Sequence, residues 1–149
     1  MKKRIAAFLL LLSLLLPEAA LAATPGTLNQ QMATRSGPST KYTEELGTLP
    51  SSTNITVIAQ VETNGTVWYQ VEFKNNGKLY RAYTGKKRVD AYGSIPWEND
   101  TYTEDVTTVY AKSYYGPGEQ YAQRRQTVDR GTTVRVFLVD GDWALCDYR

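Results

Sequence analysis

The chain contains the turn segment Gly37-Pro38-Ser39-Thr40-Lys41-Tyr42 and repeats it, 79 positions later, as Gly116-Pro117-Gly118-Glu119-Gln120-Tyr121. At the same offset, Ile55-Thr56-Val57-Ile58 aligns with Val134-Arg135-Val136-Phe137. Glycine and proline mark turns, and alternating β-branched residues mark strands. Because a turn and the strand after it recur at one spacing, the chain is predicted to be a tandem repeat.

A tryptophan opens the next strand in each copy, at Trp68 and Trp143, where the offset falls to 75. Loops absorb insertions and strands do not, so the first copy should have the longer hairpin. Its Asn64-Gly65 is typical of a tight turn, and Asn75-Asn76-Gly77 predicts another. Residues 54–60 alternate in polarity and predict a half-buried strand. Short strands between turns indicate an all-β fold of small barrels or sandwiches.

The first 22 residues have the three parts of a secretory signal peptide. Lys2-Lys3-Arg4 is basic, residues 5–16 form an apolar run too short to be a permanent membrane span, and Ala20-Leu21-Ala22 is a small-residue cleavage site. We expect cleavage after Ala22, location in the cell envelope or secretion, and no stable membrane insertion afterwards. The remaining 127 of the 149 residues suit two small modules.

The predicted organisation has five parts. They are a signal peptide at 1–22, a polar leader at 23–27, a first module at 28–90, an acidic linker at 91–105 and a second module at 106–149. The linker holds four acids and no base, which predicts a solvated spacer. Trp97 lies in it beside a proline, and we expect its ring to pack at the junction or on a module rather than in water.

The second module is predicted to be incomplete. The chain extends six residues past Trp143, whereas the first copy continues 21 residues past Trp68, to Val89. The second copy therefore has no equivalent of residues 77–89. An open strand edge exposes main-chain groups that can pair with another chain. Truncation of the gene product is the favoured interpretation, and a strand-pairing partner for the open edge is the alternative.

Composition argues against several classes of function. Without residues 1–22, the chain carries 14 basic and 14 acidic side chains, so no nucleic-acid partner is expected. It has no histidine and one cysteine, which excludes histidine-based triads and His/Cys zinc sites. We expect no enzyme activity, no cofactor and no metal. Cys146 aligns with Val71 and is expected to be a small buried apolar residue rather than a reactive thiol.

The first module contains, in this order, Arg35-Ser36-Gly37-Pro38-Ser39-Thr40, Leu46-Gly47-Thr48-Leu49, residues 53–58, Trp68-Tyr69-Gln70-Val71 and Gly77-Lys78. With these segments it resembles a bacterial SH3-like (SH3b) domain. The resemblance implies two SH3-like barrels in tandem, the first closed with five or six strands and the second divergent and incomplete. Members of this family usually accompany cell-wall peptidases, and no such catalytic domain is present here.

Aromatic residues are the remaining candidates for a binding site, since the chain has eleven tyrosines and three tryptophans. Such side chains suit a groove for sugar rings or an extended peptide, although strands also favour them as core residues. The leading hypothesis is an exported, non-catalytic module that binds cell-wall peptidoglycan, or its peptide part. The alternative is an envelope adaptor or inhibitor that binds a protein. The candidate ligand-binding residues are Tyr42, Trp68, Tyr83, Tyr114, Tyr115, Tyr121 and Trp143.

Overall fold

The computed structural model describes residues 23–41, 44–98 and 101–148, and over them the chain is all β apart from one 3₁₀ turn at Lys86–Arg88. The predicted signal peptide lies outside the described residues. Within the described ranges, no helix is long and apolar enough to cross a membrane. The strands are β1 (Thr24–Leu28), β2 (Met32–Arg35), β3 (Glu44–Leu49), β4 (Asn54–Thr63), β5 (Thr66–Asn75), β6 (Lys78–Gly85), β7 (Val89–Ala91), β8 (Thr103–Val106), β9 (Ala111–Tyr114), β10 (Gln123–Val128), β11 (Thr133–Asp140) and β12 (Trp143–Tyr148).

The first repeat forms one antiparallel sheet of seven strands in the order β3-β2-β6-β5-β4-β1-β7. Both hairpins predicted from the sequence are present. Asn64 and Gly65 have φ of 51° and 72°, and Asn76 and Gly77 have φ of 49° and 80°. Positive φ at both central residues defines the turn whose twist matches that of its strands. The sheet is curled and has β3 and β7 at its two ends, so it is not the closed barrel of five or six strands that was expected.

The core lies inside this curled sheet. Alternation along β5 turns Tyr69, Val71 and Phe73 to one buried face. Val57 on β4 and Leu28 on β1 pack in the same cluster. Burial of side chains of this size contributes about 1.5–3 kcal/mol each. The first repeat therefore holds most of the apolar stabilisation among the described residues.

The second repeat reproduces the strand pairing of the first. Val57 pairs with Val71 on β5, and Val136, 79 positions later, pairs with Cys146 on β12. The bulge after Val57 recurs after Val136. In the same way β9 and β10 repeat the pairing of β2 with β3, including its register shift. The repeat seen in the sequence is therefore a repeat of backbone geometry.

The predicted leader at 23–27 is wrong, because Thr24–Leu28 is strand β1 and lies between β4 and β7. Pro25 lacks an N–H, but its carbonyl accepts a hydrogen bond from the N–H of Tyr92 at 3.0 Å. A Cβ on Gly26 would approach the carbonyl oxygen of Asp90 to 2.9 Å, so close contact with β7 requires glycine here. Proline and glycine are typical of turns, and for that reason the sequence pattern predicted a loop where a strand forms.

The spacer interpretation of residues 91–105 is also wrong. Ala91 ends β7, and Thr103–Val106 forms β8, which pairs with β11 as β1 pairs with β4. Between them, the N–H of Gln60 donates to the carbonyl of Pro96 at 2.8 Å. The backbone of Trp97 is thus fixed on β4, although its ring is 58% exposed, contrary to the packing expected for it.

Candidate functional site

A loop of the second repeat docks on the edge of β6. That strand pairs with β2 only at Tyr83, so the main-chain groups of Leu79 and Arg81 that point away from β5 are open to another segment. The N–H of Arg81 donates to the carbonyl of Tyr115 at 2.8 Å, and the N–H of Ala122 donates to the carbonyl of Leu79 at 2.9 Å. The loop therefore extends the first sheet and joins the two repeats.

A polar cluster lies within this contact. Tyr121, 5% exposed, donates its phenol hydrogen to the Glu72 carboxylate. The same carboxylate oxygen, Oε2, accepts a bond from Nε of Arg81 at 3.0 Å, and the guanidinium lies 5.3 Å from the centre of the Tyr121 ring. Burial, followed by the hydrogen bond to Glu72, raises the pKa of Tyr121, while Arg81 opposes the shift. Tyr121 thus holds the repeats together and presents no free ring face.

Tyr115 lies beside this cluster in a series of rings. Its ring is 5.3 Å from that of Tyr80, which in turn is 5.8 Å from Phe73 in the core. The guanidinium of Arg124 lies 4.7 Å from the centre of the Tyr115 ring. Offset rings and a cation over a ring face both stabilise such a contact. The structure therefore places Tyr115, like Tyr121, at the junction of the repeats.

Trp68 and Tyr83 lie together on the first repeat. Trp68 is buried on β5, where it pairs with Gly85. The Tyr83 phenol donates to Oε1 of Glu98 at 2.8 Å and accepts a bond from the Gln70 amide at 3.2 Å. Burial raises the pKa of the Glu98 carboxyl, and the hydrogen bond from Tyr83 opposes that shift. Tyr83 therefore anchors Glu98, and Trp68 is buried within the first repeat.

Tyr114 and Trp143 form a half-buried pair on the second repeat. Their ring centres are 5.2 Å apart and their planes meet at 89°, the edge-to-face arrangement that aromatic pairs favour. In the first repeat, the equivalent strands β2 and β5 are separated by β6. Among the described residues no strand lies between β9 and β12, and these two rings meet across the gap. We call this place the aromatic gap.

Two observations on the described part of the chain concern metal ligands and the single cysteine. There, no group of three or more His, Cys, Asp or Glu side chains is placed to hold a metal ion. Cys146 is half-buried, less than its counterpart Val71. Burial, followed by the nearby Asp105 charge, raises the pKa of its thiol, which lowers the fraction of reactive thiolate at neutral pH.

The sequence analysis did not identify the residues that join the two repeats and that hold residues 94–98 on the first repeat. Glu72 and Arg81 lie directly opposite each other on the two strands of a hairpin, and opposite charges at such positions predict a cross-strand ion pair. Glu98 gave no local signal, because its partner Tyr83 is 15 positions away. Tyr42, the counterpart of Tyr121, lies outside the described residues, and its role remains a prediction.

Comparison of the chain with protein-family models, with curated proteins and with solved structures found no match.

Proposed function

We propose that this protein is an exported, non-catalytic binding protein of the SH3b type that recognises the peptide part of cell-wall peptidoglycan. The observation that carries the proposal is the aromatic gap. There β9 and β12 are each the edge strand of their sheet, and the rings of Tyr114 and Trp143 meet between them. An extended peptide gains main-chain hydrogen bonds at a strand edge and side-chain contacts from rings beside it.

The candidates divide into two groups under this proposal. Tyr114 and Trp143 are half-buried and keep part of their rings accessible. Trp68 and Tyr121 are 8% and 5% exposed, so a ligand would have to displace other contacts to reach them. The proposal therefore assigns ligand contact to the second repeat, and assigns to the first repeat the rigid support on which the second one docks.

Sedimentation with insoluble peptidoglycan tests the proposal. Protein spanning residues 23–149 is expected to leave the supernatant at moderate salt. Trp143→Ala should weaken retention at least about tenfold, as is usual for a central aromatic contact. Tyr110→Ala is the matched control, because Tyr110 is 76% exposed and close in sequence to Tyr114. Wild-type protein that stays in the supernatant would refute the proposal.

An envelope adaptor that binds a protein partner is the second candidate. It is favoured by Tyr92 and Trp97, which are large and exposed and lie within six residues of each other on the first repeat. Exposed aromatic residues are enriched at the centres of protein interfaces. Cross-linking through these two positions, after digestion of the wall, should then capture one defined protein. Loss in Trp97→Ala of the product that is cross-linked through position 92 would support the adaptor.

A further inference from the structure

The first repeat already shows how an extended segment binds beside β1. Gln60 on β4 donates its N–H to the carbonyl of Pro96, and its own carbonyl accepts the N–H of Glu98, both at 2.8 Å. Trp97 between them is in a parallel bridge with Gln60. The Gln60 side-chain amide also donates to the carbonyl of Ile95 at 2.8 Å. A single residue of β4 therefore binds the extended segment 95–98.

The equivalent residue of the second repeat is Val139. Gln60 pairs with Tyr69, and Val139, 79 positions later, pairs with Ala144. Three residues separate Gln60 from its turn and one residue separates Val139 from its turn, so both have the same orientation in their hairpins. Asp140 and Trp143 flank a two-residue turn and form a hydrogen-bonded pair, so alternation directs the N–H and C=O of Val139 away from β12. The pairing of β8 with β11 ends at Val136, and no described segment bonds to Val139.

A depression of about 290 Å³ adjoins these main-chain groups. Its apolar walls include Tyr102 and Phe137, whose ring centres are 5.7 Å apart. Val139 itself is 65% exposed. This is unusual for a β-branched strand residue whose equivalent, Gln60, is covered by residues 95–98. We call this place the Val139 groove. It is lined by Thr101, Tyr102, Thr103, Val136, Phe137 and Val139.

We propose that the Val139 groove binds an extended segment of a partner protein in which proline is followed by an aromatic residue. The segment lies parallel to β11, as residues 95–98 lie on β4. The proline carbonyl accepts the N–H of Val139, and the N–H two residues later donates to the Val139 carbonyl. Proline is tolerated because only its carbonyl is used, and its restricted backbone lowers the entropy lost on binding.

The lining explains how the second site differs from the first. Gln60 binds its segment partly through a side-chain amide, and Val139 has no such donor. The partner's side chains are held instead by the apolar surface of Tyr102 and Phe137. The guanidinium of Arg135 lies over the Tyr102 ring, 4.9 Å from its centre, and stabilises that wall. Selectivity therefore favours an aromatic residue after the proline.

The chain supplies the probe. A synthetic peptide with the sequence of residues 93–98, Gly-Ser-Ile-Pro-Trp-Glu, is titrated into isotope-labelled protein spanning residues 23–149. We expect saturable shifts of the Val139 and Val136 amide signals. A second peptide, methylated on the nitrogen after tryptophan, lacks the donor and should bind at least tenfold more weakly. This comparison leaves the protein unaltered, so it does not depend on a variant that folds.

Two results would overturn the proposal. One is the absence of shifts at Val139 at millimolar peptide. The other is equal binding of the methylated peptide, which would mean that the main-chain pairing is not used. A Phe137→Ser variant, which removes one ring from the wall, should also reduce the affinity at least tenfold, and an unchanged affinity would count against the groove. The proposed peptidoglycan site is read out separately, at Trp143.

Discussion

The phenol of Tyr121 donates a hydrogen bond to the carboxylate of Glu72, and so joins the turn of the second repeat to the central hairpin of the first. Tyr121→Phe keeps the ring beneath Arg81 and removes only the hydroxyl. We expect a loss of about 1.5–3 kcal/mol in the free energy of unfolding, the usual range for a hydrogen bond to a charged group. Urea unfolding measures it. Tyr110→Phe, on an exposed ring, should change nothing, and equal effects of the two variants would contradict the assignment.

The same contact predicts a dependence on alkaline pH. The pKa of Tyr121 is raised above its ordinary value of 10.0, so the folded protein retains the phenol proton after the unfolded chain has lost it. The stability contributed by this contact is therefore present below pH 10 and is lost as the pH rises through the folded pKa. In Tyr121→Phe this part of the decline should disappear. Identical pH profiles above pH 10 would show that the phenol titrates normally.

Gly116 is required by the packing of Tyr121. A Cβ at position 116 would lie 2.3 Å from two ring carbons of that tyrosine. Gly116→Ala should therefore destabilise the protein by about 1–3 kcal/mol, the range for an overpacked site. Gly85→Ala is the matched control, since nothing lies within 4 Å of its Cβ position and its φ is −64°. The loss is measured by thermal unfolding, and a tolerated Gly116→Ala would mean that the loop is not held as described.

Two buried threonines on the first sheet should respond in opposite ways to valine. The Thr84 hydroxyl is buried and has no hydrogen-bond partner among the described residues, whereas the Thr34 hydroxyl donates to the carbonyl of Gly47 at 3.2 Å. Thr84→Val should stabilise the protein by about 1 kcal/mol, and Thr34→Val should destabilise it by a similar amount. Chemical denaturation compares the two. Destabilisation by Thr84→Val would imply a partner for that hydroxyl.

Glu98 ties residues 94–98 to the first repeat at some electrostatic cost. Its pKa is raised from 4.5 because the carboxyl is buried, so the folded state holds this proton more strongly than the unfolded chain does. The protein should therefore lose stability as the pH rises from 4.5 through the folded pKa. Glu98→Gln keeps an acceptor for the Tyr83 hydroxyl and removes the charge. We expect the variant to be more stable than the wild type at pH 7 and no more stable at pH 3.5, as measured by melting temperature. A loss of stability at pH 7 would show that the charge is needed.

The sequence predicted the parts of the fold that depend on neighbouring residues. Asn64-Gly65 and Asn76-Gly77 determine their turns through their own backbone preferences, and the 79-residue offset carries the register of the strands. The role of Thr24–Leu28 could not be predicted in this way, because a strand with proline and glycine is specified by its partners β4 and β7. Tertiary contacts alone decide which aromatic candidates lie at the junction of the repeats and which lie at the aromatic gap. Tyr114 and Tyr115 are adjacent, yet one ring faces Trp143 and the other faces Tyr80.

The core of the second repeat is less buried than that of the first, which favours the second repeat as the one that changes on ligand binding. Val57 and Val71 are 0% exposed, while their counterparts Val136 and Cys146 are only half-buried. Binding sites are often drawn from the less stable part of a structure. A ligand in the aromatic gap would add main-chain pairing to β9 or β12 and would stabilise that repeat by mass action.

Titration with a soluble peptidoglycan stem peptide, followed through the three tryptophan indole signals, tests the peptide-binding proposal most directly. Trp143 should shift saturably because its ring covers the aromatic gap, and Trp68 should not shift because it is buried in the first repeat. Trp97, exposed on the first repeat, serves as the internal control and should also remain unchanged. A saturable shift at Trp68 or Trp97 without one at Trp143, or no shift at any of the three, would contradict the assignment of ligand binding to the aromatic gap.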